Sequence, residues 1–152
     1  MEELLAKLKD GSAPARFTAA NKLGKLGDRK AVLPLIAALD DEDDKVLDNV
    51  IFALGELGDA RAVPHLVRVL GRNKSERARK SAAKALGMLG SRDAVDALIA
   101  ALKDTDFKVR KSAARSLGQI GDRKAVPALK SAMNDPDYTV VKYVEDALDR
   151  LN

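Results

Sequence analysis

One histidine, no cysteine and one run of five acidic residues are what this sequence offers to chemistry. His65 follows Pro64. No serine is spaced to use it as a base and no ligand accompanies it, so it reads as a helix-surface histidine. Without Cys, disulfides, thiol catalysis and thiolate metal sites are excluded. The run from Asp40 to Asp44 would suit calcium only if the sixth position of a loop starting at Asp40 were Gly, and it is Lys45. These carboxylates are expected to solvate a loop and favour a helix N-terminus. Gly24-Lys25 lacks both the upstream glycine and the following Ser or Thr of a phosphate loop. The recurring Leu-Gly-x-x-Gly follows no strand, so it terminates helices and does not bind dinucleotides. On these grounds the sequence predicts a chain that is not an enzyme and uses no cofactor or metal.

The 152 residues are 46% hydrophobic, 33% charged and only 3% aromatic. That balance suits a folded chain, and a core of Ala, Leu and Val suits closely spaced helices better than a sheet sandwich. The start, Met1-Glu2-Glu3, is acidic where a signal peptide is basic. No apolar run approaches the roughly 20 residues needed to span a bilayer. A cytoplasmic protein without a membrane partner is the expectation.

What must position any functional side chain is a repeat. Ala-Val recurs at Ala31, Ala62, Ala94 and Ala125, with gaps of 31, 32 and 31 residues. Leu-Gly recurs at Leu23, Leu54, Leu86 and Leu117, and a second glycine comes after each, at Gly27, Gly58, Gly90 and Gly121. In the fourth unit Val95, Leu98, Ile99 and Leu102 make one apolar helical face. Asp104-Thr105-Asp106 breaks it and offers N-caps. Val109, Ala113, Leu117 and Ile120 make a second face, and Gly121 stands where a left-handed helix end is wanted. Asp122 can cap the next helix, and Pro127 and Pro64 fall just inside helix starts. The predicted fold is all-α, an α-solenoid of five helix-pair repeats forming a single domain, with units at 1–30, 31–61, 62–93, 94–124 and 125–152.

The Ala-Val-x-x-Leu openings, Asp-x-x-Val-Arg at Asp106 to Arg110, and Leu-Gly-x-Ile-Gly-Asp at Leu117 to Asp122 resemble the HEAT-like repeats of the phycobilisome-lyase type. The resemblance covers the whole chain and implies a right-handed α-solenoid of five HEAT-like helix pairs. It implies that second helices line the concave side and first helices the convex side. It also implies that Arg16, Arg79 and Arg110 belong to a structural ladder of Arg and Asp between repeats. Leu47 and Val141 depart from that ladder. Hydroxylases on this scaffold use His-Glu pairs for iron, and none occurs here; its alkylation-repair glycosylases rely on aromatics including Trp, also absent.

Helical spacing then selects a groove face on the second helices. The first unit supplies Phe17, Thr18, Asn21 and Lys25, and the second Asp48, Asn49, Phe52 and Glu56. Lys80, Ser81, Lys84 and Met88 come from the third, and Lys111, Ser112, Arg115 and Gln119 from the fourth. The fifth adds Lys142, Tyr143, Asp146 and Arg150. Phe17, Phe52, Met88 and Tyr143 either line a protein interface or tilt into the core. Net charge changes sign along the five units, at +3, −6, +6, +3 and −2, a pattern that steers a partner. The leading expectation is a protein-binding scaffold. The alternatives are nucleic-acid binding through Lys80, Lys84, Lys111, Arg115 and Lys142, and a bilin-lyase or chaperone-like subunit acting on phycobiliproteins.

Overall fold

The computed structural model describes all residues, 1–152, as ten α-helices without a strand. They pair as α1 Glu2–Asp10 with α2 Ala13–Leu26, α3 Val32–Ala37 with α4 Asp44–Leu57, and α5 Val63–Arg72 with α6 Glu76–Leu89. The last two pairs are α7 Val95–Ala101 with α8 Phe107–Ile120, and α9 Val126–Ala132 with α10 Tyr138–Leu151.

Each boundary has a local cause. Ser12, Asp43, Ser75, Asp106 and Asp137 accept backbone N–H groups at the starts of the five second helices. Gly121, at φ 77°, closes α8 in the left-handed region, as Gly27, Gly58 and Gly90 close the earlier second helices. The Ala-Val signature straddles a junction: the alanine ends a short 3₁₀ turn, such as Arg123–Ala125, and the valine begins the α-helix. Asp122 accepts the Lys124 N–H at the head of that turn.

The second helices pack side by side in one layer, α2 on α4, α4 on α6, α6 on α8 and α8 on α10, and the first helices form the other layer. One cluster of 38 buried apolar residues runs from Leu8 to Leu151, so no pair owns a core of its own. The mid-helix glycines make the second layer tight. A Cβ on Gly24 would lie 2.9 Å from Ala53 Cα, and one on Gly118 would lie 3.0 Å from Ala147 Cα. In the first layer, clefts of about 660 Å³ and about 500 Å³ remain between α1 and α3 and between α5 and α7. The close backbone approaches at Gly24 and Gly118 make the second layer tightly packed.

Three junctions carry the arginine ladder. Arg16 Nε lies 2.7 Å from Asp41 Oδ2, Arg79 Nε 2.9 Å from Asp104 Oδ2, and Arg110 Nε 2.8 Å from Asp135 Oδ2. A second guanidinium nitrogen donates to the other carboxylate oxygen each time. The third donates to carbonyls just past the first helix of the same pair, at Gly11, Asn73 and Asp104. Burial disfavours the charge on Asp41, but the Arg16 fork and the Asp43 N–H outweigh it and hold its carboxyl below the usual carboxylate range. Much of the acidic run is thereby explained: Asp41 pairs, and Asp43 caps α4.

A candidate partner-binding groove

The groove side of the second helices resolves into parallel rows, one residue from each helix. The first is Phe17, Asp48, Lys80, Lys111 and Lys142; the second is Asn21, Phe52, Lys84, Arg115 and Asp146. The third is Lys25, Glu56, Met88, Gln119 and Arg150.

The second and third rows stand more open than the first. Phe52 is 54% exposed, Lys84, Arg115 and Asp146 are exposed, and Asn21 is half-buried. Phe17 is 39% exposed in the first row and Met88 46% in the third, so all three large apolar groups face outward. The third row has a second task that spacing alone did not reveal. Glu56, Met88, Gln119 and Arg150 lean over Gly24, Gly55, Gly87 and Gly118 of the preceding helix, where a Cβ would meet them. The signal was present in the sequence: a glycine recurring in mid-helix, where alanine is the better helix former, demands a close neighbour.

Residues one step beyond the first row turn toward the preceding helix. Asn49 Nδ2 donates to the Phe17 carbonyl at 3.2 Å, and Ser81 Oγ donates to Asp48 Oδ1 at 2.7 Å. Lys111 Nζ sits 5.5 Å from the centre of the Tyr143 ring, a cation–π contact, and Tyr143 is half-buried. Ser112 does not line the groove. It is 4% exposed, because one residue rotates a helix by about 100° and that step carries it from the open face into the α6–α8 junction. Ser116, not singled out by spacing, is also buried and donates to the Ala83 carbonyl at 2.6 Å.

The charges are unequally matched. Asp48 receives both Arg77 and Ser81. Lys80, Lys84, Lys111 and Arg115 have no carboxylate within ion-pair reach. Partial burial, then the charges of Lys80, Arg115 and Lys111, pull the Lys84 pKa below the ordinary lysine value, with Asp48 opposing weakly. Arg115 opens onto a cleft of about 290 Å³ shared with Tyr143, Asp146, Ala147 and Arg150. Lys142 is exposed at the end of its row.

Elsewhere, Asp59 is buried between Arg61 and Arg29, each with Nη2 at 2.9 Å from Oδ2. The Arg61 side chain and N–H, with Arg29, hold its carboxyl far below the usual range. That arrangement ties the turn after α4 to the turn after α2. His65 is half-buried on α5, and no group of three or more His, Cys, Asp or Glu is placed to hold a metal ion. No helix is long and apolar enough to cross a membrane.

The fold is an α-solenoid whose second helices share one face. The sequence profile of HEAT repeats matches residues 1–87 and 72–149, and the chain belongs to the HEAT-repeat family. It is 38% identical over 112 residues to phycocyanobilin lyase subunit alpha of Picosynechococcus sp., covering 67% of this chain and 41% of that protein. It is 34% identical over 107 residues to deoxyhypusine hydroxylase of Eremothecium gossypii, covering 68% of this chain and 33% of that protein. Its structure matches that of the complex of CpcE and CpcF of phycocyanin lyase from Nostoc sp., with TM-score 0.86 and 29% identity over 99% of this chain and 64% of that one. The chain thus spans well under half the length of these two sequence relatives.

The expectation that the chain is not an enzyme is overturned by these relatives, which include a hydroxylase and a lyase. In a solenoid the residues that meet come from successive repeats, 31 or 32 positions apart, so compact motifs do not report on chemistry at such a surface.

Proposed function

We propose that this chain is a HEAT-repeat binding unit that holds a protein partner along the concave face of α2, α4, α6, α8 and α10. The observation that carries the reading is one continuous surface with exposed Phe17, Phe52 and Met88 beside the unpaired Lys80, Lys84, Lys111 and Arg115. Aromatic and Met side chains anchor protein interfaces, and desolvated cations among them give register. The matched lyase of Nostoc sp. is itself a complex of two named subunits, which supports a protein as the partner class. The test is affinity capture with the wild-type chain, with Phe52→Ala and with Lys84→Glu. A partner retained by the first and lost at least ten-fold from both variants, at unchanged helicity by circular dichroism, supports the groove. Equal retention by all three baits defeats it.

A second reading rests on the sequence relatives. Kinship to phycocyanobilin lyase subunits supports a role in handling bilin together with another subunit. Added phycocyanobilin should then change its visible absorption on mixing with this chain and a partner subunit. An unchanged spectrum counts against it.

A further inference from the structure

The groove is divided along its length, and the division describes what it takes. Resting on the protein-binding reading above, we infer that the partner presents an acidic stretch to α6 and α8 and an apolar side chain to α2 and α4. The observations are four. Lys80, Lys84, Lys111 and Arg115 crowd one another, and none meets a carboxylate. Asp48, which borders this patch on α4, is already satisfied by Arg77 and Ser81. Asp146 bounds the other side, in the cleft it shares with Arg115. Phe17 and Phe52 stand open on the helices before the patch, with Met88 at its edge.

Dimensions narrow the occupant. Residues four apart on a helix are separated by about 6 Å along its axis, and packed helices lie roughly 8–10 Å apart. The backbone positions of the four cations are therefore spaced by about 6 Å along the helices and about 9 Å across them. Two carboxylates on residues i and i+2 of an extended segment lie about 7 Å apart and fit that spacing. From Phe17 on α2 to Arg115 on α8 is three helix spacings, roughly 27 Å, or about eight extended residues. A nucleic-acid strand needs cations along its whole track, with aromatic platforms between them. Here Asp48 and Asp146 stand on either side of the α6–α8 patch, and Lys142 lies beyond it on α10, so the cations form no unbroken track and an acidic–apolar protein segment is favoured. Like charges held together without partners are poorly placed in the free protein, and an acidic ligand relieves them.

The probes are three fluorescein-labelled molecules titrated by anisotropy at low salt. One is a ten-residue peptide with Phe near one end and an Asp-x-Glu near the other. The second is the same peptide with Lys in place of both acids, and the third is a single-stranded dodecanucleotide. The acidic peptide should bind tightest. Lys84→Glu/Arg115→Glu should weaken it at least ten-fold, Phe52→Ala several-fold, and 300 mM salt should reduce the first effect more than the second. Tighter binding of the basic peptide or the oligonucleotide, still sensitive to these substitutions, overturns the acidic–apolar assignment while leaving the groove in use. Binding that ignores all three substitutions, or no binding by any probe, overturns the assignment; in the former case the groove itself falls.

Discussion

The junction between α4 and α6 is built differently from the other three between second helices. At α2–α4, α6–α8 and α8–α10 an arginine reaches across to an aspartate through two hydrogen bonds. At α4–α6 the arginine position holds Leu47, which is buried, and the aspartate position holds Asn73. Asn73 keeps one of the aspartate's duties. Its Oδ1 accepts the Ser75 N–H at 2.9 Å, as Asp41, Asp104 and Asp135 accept the N–H two residues on. Its charge is gone together with the charge it would have answered. The polar tie has moved one residue along, to Asp48, Arg77 and Ser81 at the groove edge. Removing both members of a part-buried ion pair is tolerated, whereas removing one leaves a charge without a partner.

That comparison can be broken from either side. Arg110→Ala strands Asp135 and should cost about 3 kcal/mol in denaturant unfolding. Arg110→Leu with Asp135→Asn copies the α4–α6 junction and should recover most of the loss. If the double variant is as unstable as the single one, the equivalence of the two solutions is wrong. Leu47→Arg runs the experiment in reverse. A guanidinium facing Asn73 in place of a carboxylate should cost about 2 kcal/mol, and adding Asn73→Asp should return at least half of it, giving a coupling energy that a double-mutant cycle reads directly.

A smaller effect separates the glycines of the two junction types. Gly24→Ala pushes a methyl against the backbone of Ala53 and should cost about 1–2 kcal/mol, whereas Gly55→Ala meets chiefly the flexible end of Met88 and should cost under about 1 kcal/mol. Thermal midpoints of the two variants measured together decide this.

The smallest effect is acidic. The folded state lowers the Asp41 pKa, so its contribution is complete above about pH 4 and disappears as the pH falls through the lower folded value. Amide exchange in α2 should accelerate below that point. Asp41→Asn should exchange faster at neutral pH and lose the acid dependence.

Much of this architecture is legible in the sequence itself. The apolar faces, the capping Asp and Ser residues and the terminal glycines specify ten helices because each acts within a turn or two of chain, and the 31-residue recurrence fixes their serial order. The resemblance supplied the Arg–Asp ladder, but neither it nor the spacing explained Leu47, because its compensating change lies at Asn73, across a loop of different length. The groove was read as one face from helical phase, and that phase placed Phe17, Phe52 and Lys84 in the open.

Phase could not place Ser112 or Tyr143, or show that Glu56, Met88, Gln119 and Arg150 fill the space above a glycine. The reason is physical. A helix's own period sets where a side chain leaves its axis, but whether that direction ends in water, in a neighbouring backbone or against another charge depends on a helix about 31 residues away. Residue order alone set the helices and their succession. Which cations were left without partners was settled by the packing of helix on helix.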